Sequence, residues 1–519
     1  MGRAKEVPDD RSITPGADFL QLHAGDAPAG ALASWLARQL RLAISDGRLP
    51  LDSRLPATRV LAGELGVSRG VVTEAYQRLT EDGHVAGRGR GGTVVVAVPA
   101  AAPMPARPGG PPSPPAANAL FGPVPGADVF DSLRAAPARI DLSPGLPDLG
   151  AFPRAAWLRA ERSVFSQLSP SDFGYGDPRG TPALRRAVAS WLARTRGIRV
   201  DPAEVCIVAG VAQALGLLAQ GLLRDGISAV AVEDPGSLGT RQHLQNWQLG
   251  TPPVAVDPRG LRVDELRASG APAVLLTPAH QFPTGVVLDG GRRRELMRWA
   301  RDGGLVIEDD YDAEHRYDRP PVPALHPMLA EHVCYAGSVS KLLAPALRVG
   351  WVLAPPKYRD ALVTAKRNAD LGNAVLPQLV LARLMESGDL ERQLRFLRRR
   401  HRRRRDAMIA AIRTHLPGAV VHGAAAGLHL MITFDAAFAD TDLAAAALAR
   451  GVKVQPLSWH CQRPHRPGIV LGYAANTTTG IGEGVAVLGH ALRQLRLAAT
   501  GGPGPPATAT SPPGGQVAD

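Results

Sequence analysis

Residues 335–348 read Tyr-Ala-Gly-Ser-Val-Ser-Lys-Leu-Leu-Ala-Pro-Ala-Leu-Arg, and the short apolar run 333–336 leads straight into them. A lysine just past a strand, Lys341 here, is placed to form a Schiff base with an aldehyde. Ser338, Ser340 and Arg348 add hydroxyl and guanidinium donors that suit a phosphate. Rivals for that role are few: of 59 basic residues only Lys5, Lys341, Lys357, Lys366 and Lys453 are lysine. Outward from this stretch, apolar runs recur at 205–209, 229–232, 273–276, 305–308 and 349–353, separated by segments long enough for helices. The alternation predicts βαβ units, hence an α/β fold with a mostly parallel sheet and helices on both faces. Such sheets bind ligands at the carboxyl ends of their strands. Candidate chemistry is therefore sought just after each run.

Two further strand ends complete a constellation. The run 305–307 leads into Glu308-Asp309-Asp310-Tyr311. A carboxylate facing a pyridine nitrogen keeps that ring protonated as an electron sink, and a tyrosine can hydrogen-bond the ring hydroxyl. The run 205–209 leads into Gly210-Val211-Ala212-Gln213, whose backbone N–H groups at a helix start would cradle a phosphate. Singly these are weak signals, because an Asp-Asp pair usually marks a polar loop and Ser-Lys pairs are common. In this order, each at a strand end, they predict a site for pyridoxal 5'-phosphate.

The N-terminal residues follow another logic. Leu32, Trp35, Leu36, Leu40 and Ile44 recur at helical spacing. Thr58 is a candidate cap for a helix running to Leu65, Gly66 supplies a sharp turn, and Ser68 is a candidate cap for a second helix from Arg69 to about Glu81. Residues 85–98, centred on Gly87-Arg-Gly-Arg-Gly-Gly92, read as two short strands joined by a basic turn. This helix-turn-helix with a wing places Arg69 where a first helical turn meets base edges. Arg54, Arg59, Ser68, Arg88 and Arg90 fall to phosphate or the minor groove. The alternative is a small helical oligomerisation unit with solvated arginines. Resemblance decides between them: residues 32–98 resemble the GntR-type winged helix through Leu55-Pro56, the turn Leu65-Gly-Val-Ser-Arg69, and Ala75-Tyr76 with Leu79.

Composition bounds the remainder. At 519 residues the chain is long enough for about three domains, which excludes a small stapled module. Segment 99–118 holds eight prolines and reads as a semi-rigid linker; 1–19 and the tail 500–519 read as disordered. The winged helix then occupies 20–98 and the larger unit 119–499, with a small α+β subdomain from about 385. No apolar run reaches the ~18 residues of a bilayer span, and the N-terminus lacks a secretory core. A cytoplasmic protein with no membrane partner is expected. Three scattered cysteines exclude a disulfide framework. Trp459-His460-Cys461 with His465 fits no common metal spacing and is read as a loop near the cofactor, so no metal is expected. The net charge of +12 suggests a polyanion, yet residues 20–98 hold nine arginines against seven acids. The densest block, Arg-Gln-Leu-Arg-Phe-Leu-Arg-Arg-Arg-His-Arg-Arg-Arg-Arg at 392–405, reads as a solvated or acid-paired helix face rather than a nucleic-acid site.

From about 140 to 497 the chain resembles fold-type I aminotransferases, and with the winged helix it resembles the MocR/GabR family of bacterial regulators. The resemblance rests on Pro147-Asp-Leu-Gly-Ala-Phe-Pro153, Tyr175-Gly-Asp-Pro-Arg-Gly180, Glu233-Asp-Pro-Gly236, Thr277-Pro-Ala-His-Gln-Phe-Pro-Thr-Gly285, Glu308-Asp-Asp-Tyr-Asp312 and Gly337-Ser-Val-Ser-Lys341. It implies that Lys341 carries the cofactor as a Schiff base, that Asp309 pairs with the pyridine nitrogen, and that Tyr311 meets the ring hydroxyl. Ser338 and Arg348 would hold the phosphate. Tyr175 would reach the phosphate of a partner subunit, implying a homodimer with shared sites. Three departures stand out. Ser237 replaces an aromatic that packs on the ring, Phe282 replaces an asparagine, leaving His280 or Gln281 as substitutes, and no arginine stands in register to clamp a substrate carboxylate. Arg241, Arg463 and Arg466 are the candidates for that clamp. Three functions follow: a promoter-DNA-binding regulator sensing pyridoxal phosphate or an amine or amino-acid effector, an active aminotransferase with a DNA-binding appendage, or a direct pyridoxal phosphate sensor controlling vitamin B6 synthesis. The missing clamp argues against sustained turnover.

Overall fold

A computed structural model describes residues 20, 22–28, 30–97, 120–122, 124–317 and 322–500. The expectations for 1–19, for the linker 99–118 and for the tail beyond Thr500 lie outside the described residues. The chain forms two compact units that divide after residue 113.

The first unit packs α1 (Leu32–Ser45), α2 (Thr58–Leu65) and α3 (Arg69–Glu81) against a hairpin of β1 (Val85–Gly87) and β2 (Thr93–Val95), in which Val85 faces Val95. Trp35, Leu36, Leu40 and Ile44 form one buried face of α1, against Leu61 of α2 and Val72, Tyr76 and Leu79 of α3. The Tyr76 hydroxyl donates to the Pro56 carbonyl at 2.7 Å and ties the recognition helix to the segment before α2. Gly66 ends α2 at φ +63°, a left-handed position that costs a β-carbon about 1–2 kcal/mol. Two capping expectations change. Thr58 is the first residue of α2 rather than its cap, and its hydroxyl accepts from Arg69 Nε at 3.3 Å. Ser68 holds the cap position of α3 without a side-chain capping bond.

The second unit opens with α4 (Val129–Ala135), β3 (Ile140–Asp141), α5 (Arg154–Phe165) and α6 (Pro182–Arg196). The alternating region follows: β4 (Cys206–Val208), α7 (Val211–Arg224), β5 (Val230–Asp234), α8 (Leu238–Asn246), β6 (Pro253–Asp257), β7 (Gly260–Leu261), β8 (Ala273–Leu276), α9 (Gly290–Arg301), β9 (Leu305–Asp310), β10 (Val333–Ser338) and β11 (Gly350–Leu353). Eight strands form one sheet in the order β4-β11-β10-β9-β8-β5-β6-β7, parallel except for β11 and the edge strand β7. Period-two burial covers both faces. Cys334 and Ala336 of β10 pack with α7 on one side, whereas Tyr335 and Trp351 pack with Trp191 and Leu192 of α6 on the other. Sequence reading missed β6, whose Pro252-Pro253 start reads as a breaker, and β7, which has only two residues. It also ended β9 too early: Asp309 lies within the strand, opposite Ala336 of β10.

Beyond α10 (Pro356–Asp370) and α11 (Val375–Glu386) runs the long α12 (Asp389–His415). The remaining elements are β12 (Val420–His422), β13 (His429–Thr433), α13 (Asp440–Leu448), β14 (Val452–Lys453), β15 (Gln455–Pro456), β16 (Gly468–Gly472) and α14 (Thr478–Thr500). Strands β12, β13, β16 and β15 form an antiparallel sheet. Its core also takes in Val129, Leu133, Ile140 and Leu142 from the start of the unit, and β14 pairs in parallel with β3. The small subdomain read from about 385 therefore recruits an N-terminal segment as well.

Candidate functional site

A cavity of about 490 Å³ opens at the carboxyl ends of β4, β5, β8, β9 and β10. Nine residues singled out from sequence line it: Gly210, Val211, Ala212, Asp309, Tyr311, Ser338, Ser340, Lys341 and Arg348. Lys341 Nζ donates to the Gly145 carbonyl at 2.5 Å. Gly145 has φ +81°, a left-handed backbone that favours glycine. Burial pulls the Lys341 ammonium below its ordinary pKa, while Asp312 and Asp309 oppose that shift. The lowered value favours the neutral amine, the nucleophilic form.

Asp309 is half-buried, and its carboxyl is pushed up to about 7, first by desolvation and then by Asp310 and Asp312. Asp310 is held apart by Arg196 Nε at 2.5 Å. Asp309 Oδ1, by contrast, is buried with no hydrogen-bond partner. Such an acceptor costs free energy until a donor meets it, and a protonated pyridine nitrogen is a donor of that kind. At the opposite end, α7 begins at Gly210, φ +85°, whose carbonyl neighbour Ala209 accepts from the Arg348 guanidinium. A helix N-terminus beside a guanidinium and two serines fits a phosphate.

Tyr311 follows β9 directly. Its hydroxyl donates to the His280 carbonyl at 3.1 Å and lies 3.1 Å from His280 Nδ1, which in turn lies 2.9 Å from Asp312 Oδ2. His280, 2% exposed, does not line the cavity and acts on Tyr311 instead. Gln281 is occupied within its own loop, donating to the Pro235 carbonyl at 2.8 Å and accepting from Thr284. Neither residue is among those lining the cavity. His280, Asp312 and His429 are the one cluster of potential metal donors among the described residues, but His280 and Asp312 already hydrogen-bond each other. Ser237 caps α8, accepting from the Thr240 N–H at 3.2 Å, and also lines the cavity.

The candidate carboxylate clamps are not brought to this cavity. Arg241 is buried and donates to the Trp459 carbonyl at 3.0 Å. Arg463 pairs with Glu265 at 2.9 Å, and exposed Arg466 pairs with Asp435. No residue of β16 lines the cavity; its Val470 packs on Met431 and Leu457. Apart from Arg348, the only lining arginine among the described residues is Arg134 of α4, which sequence reading missed because nothing local links that helix to the strand ends. Tyr175 is 93% exposed and stands away from this chain's cavity. In the first unit Arg54, Arg59, Ser68, Arg69 and Arg88 are all exposed, with Arg69 opening α3 and Arg88 at the hairpin tip, 3.8 Å from Asp52. The Arg90 side chain lies outside the described residues.

Residues 138–470 match the family profile described as aminotransferase class I and II, and residues 32–95 match that of bacterial regulatory proteins, gntR family. The chain is 31% identical to the probable rhizopine catabolism regulatory protein MocR of Rhizobium meliloti, over 89% of this chain and 93% of that one. It is 30% identical to the HTH-type pyridoxine biosynthesis transcriptional regulator PdxR of Corynebacterium glutamicum, over 86% and 92%. The chain belongs to the MocR-type regulators. Its aminotransferase-like unit is similar in fold to solved enzymes. The α-aminoadipate aminotransferase LysN of Thermus thermophilus, complexed with a phosphopyridoxyl-leucine, superimposes with a TM-score of 0.64 at 27% identity over 71% of this chain and 95% of that one. A multiple substrate aminotransferase of Thermococcus profundus gives 0.65 at 26%, over 72% and 96%. As a MocR-type regulator it couples a GntR helix-turn-helix to an aminotransferase-like unit. Among the described residues no helix is long and apolar enough to cross a membrane.

Proposed function

We propose that this regulator binds pyridoxal 5'-phosphate in the cavity at the strand ends and uses it to sense an amine or amino-acid effector, or the cofactor itself, while the winged helix holds promoter DNA. One observation carries the reading: Asp309, whose buried Oδ1 has no hydrogen-bond partner, lines the same cavity as Lys341, the α7 N-terminus and Arg348. When bound, the cofactor supplies an aldehyde that condenses with amines and a ring that withdraws electrons. Lys341 would hold it covalently, Asp309 would keep the ring nitrogen protonated, and Tyr311 would donate to the ring hydroxyl. Ser338, Ser340, Arg348 and the Gly210-Val211-Ala212 turn would hold the phosphate. Apart from Arg348, the cavity offers a substrate carboxylate only Arg134 among the described arginines, and that side chain is exposed and paired with Asp131, which supports sensing over sustained transamination. Tyr175, together with exposed Phe165 and Phe173, whose rings stand 5.9 Å apart, fits a homodimer in which each subunit completes its partner's phosphate site.

The effector would act by binding unequally to two arrangements of the DNA-bound dimer, since equal affinity shifts nothing. Absorbance titration with pyridoxal phosphate, with footprinting of the region upstream of the gene, tests this reading. Wild type should gain a visible band that Lys341→Ala lacks, and its footprint should change on loading. A Lys341→Ala protein that keeps the band would overturn it.

A further inference from the structure

The basic block at 392–405 lies on α12, and the structure sorts its arginines into two sets. Beside the buried Leu394, Leu397, His401 and Met408, one set of arginines is engaged, from buried Arg404 through half-buried Arg398 and Arg405 to exposed Arg400, and each member has a partner. Arg400 and Arg404 reach Asp148 at 2.6 and 2.7 Å, Arg398 donates to the Glu314 carbonyl at 2.6 Å, and Arg405 donates to the Ala424 carbonyl at 2.9 Å. These arginines hold the helix to the unit. The second set, Arg395, Arg399, Arg402 and Arg403, is exposed, and none has a hydrogen bond or ion pair among the described residues.

Spacings of three and four residues put those four side chains on one stripe, continued by Arg392 toward the N-terminus. From 392 to 403 the stripe runs roughly 16 Å at about 1.5 Å per residue. Like charges at that spacing repel along a helix, so the arrangement works against the fold. The acids of α12 are already engaged: Asp389 by Arg392 and Asp406 by Arg405, each at 2.6 Å, and Glu391 by Arg194 at 3.0 Å. Meanwhile the DNA-binding unit is nearly neutral, with nine arginines against seven acids over 20–98, whereas 391–406 holds nine against two. For a DNA-binding chain, most of the local positive charge lies outside its DNA head.

We infer that the outer face of α12 is a second DNA contact, binding the phosphate backbone of duplex DNA without reading its sequence. Each strand of duplex DNA carries about one negative charge per 3.4 Å of axis, a spacing close to that of five arginines over roughly 16 Å of helix. Guanidinium groups pair with phosphate through two parallel N–H bonds. The contact would add affinity and salt dependence but no base preference.

The test uses the full-length protein and a short duplex of arbitrary sequence, with binding followed by fluorescence anisotropy over a series of KCl concentrations. Replacing Arg395, Arg399, Arg402 and Arg403 by Gln should weaken binding and flatten the slope of log K against log salt by about 0.9 per lost phosphate contact, up to roughly 3.6. The pairs Arg395→Gln/Arg399→Gln and Arg402→Gln/Arg403→Gln should each give about half, which keeps the test available if the fourfold variant does not fold. The same four positions changed to Lys keep the charge and should restore the slope. Arg69→Ala and Arg88→Ala in the head, combined with the stripe variant, should lower binding further. A slope unchanged by the pairs overturns the inference. So does unchanged DNA binding with altered self-association by sedimentation, which would assign the stripe to a second copy of the chain.

Discussion

At Asp309, burial and charge set a value whose sign can be followed through. With its carboxyl near 7 against an ordinary value near 4, folded protein free of cofactor keeps a proton that the unfolded chain releases. The stability this contributes is complete below about pH 4 and is lost as pH rises through 7. Asp309→Asn has no proton to lose, so in thermal melts without cofactor it should match wild type only near pH 4 and exceed it increasingly as pH rises, by roughly 2–5 °C at pH 8. A gap independent of pH would place the buried proton elsewhere. The same variant should bind pyridoxal phosphate weakly, because the ring nitrogen loses its counter-charge. Asp312 acts on Lys341 in the direction opposite to burial. Asp312→Asn should therefore make the neutral amine available at lower pH, moving the pH profile for growth of the visible band to the acid side. A shift toward alkaline pH would contradict that role.

Among the elements, α3 and the hairpin divide the work of DNA recognition. Arg69 opens α3 and is exposed, so Arg69→Ala should relax discrimination among operator sequences by about 1–3 kcal/mol at one position, measured with a panel of point-substituted duplexes. Arg88 sits at the hairpin tip, where a side chain meets phosphate or the minor groove. Arg88→Ala should weaken all duplexes alike and lower the salt slope by about 1. Equal effects of the two variants on every sequence would mean that α3 does not read bases. The turn between α2 and α3 has its own test: Gly66→Ala places a β-carbon at φ +63° and should destabilise the unit by about 1–2 kcal/mol in denaturant unfolding.

For the whole molecule, the shared-site proposal makes a prediction no single chain can satisfy. A Tyr175→Phe homodimer should hold pyridoxal phosphate less tightly, with its dimer intact. Mixed dimers of Lys341→Ala with Tyr175→Phe should then carry one cofactor site that draws both intact groups from different subunits or none that does, depending on which subunit supplies the tyrosine. If Tyr175 acts across the interface, cofactor bound at the one remaining Lys341 meets the intact tyrosine of the Lys341→Ala subunit and is held at wild-type affinity. Affinity as weak as in the Tyr175→Phe homodimer would show that the tyrosine serves its own subunit. Coupling between effector and DNA is reciprocal as well: an effector that loosens the operator must itself bind less tightly when operator is present, by the same factor.

Much of this was legible along the chain. The Schiff-base lysine, the two strand-end motifs and the helix-turn-helix are local patterns, because strand, turn and cap chemistry act over a few residues. Short apolar runs separated by helix-length segments likewise announced the alternating sheet, and helical spacing announced α1. Tertiary structure alone decided the rest. Asp309 lies within β9 because β10 extends the ladder beside it, and His280 turns to Tyr311 because Asp312 holds its ring. The three candidate clamps are drawn to Trp459, Glu265 and Asp435, away from the cavity. The block at 392–405 looked uniform in sequence, yet tertiary contacts divided it into arginines that anchor α12 and arginines left facing solvent. Composition and spacing determine which groups a chain possesses. Which of them meet, and which stay unpaired, depends on contacts between residues far apart in sequence, and these arise only when the elements pack.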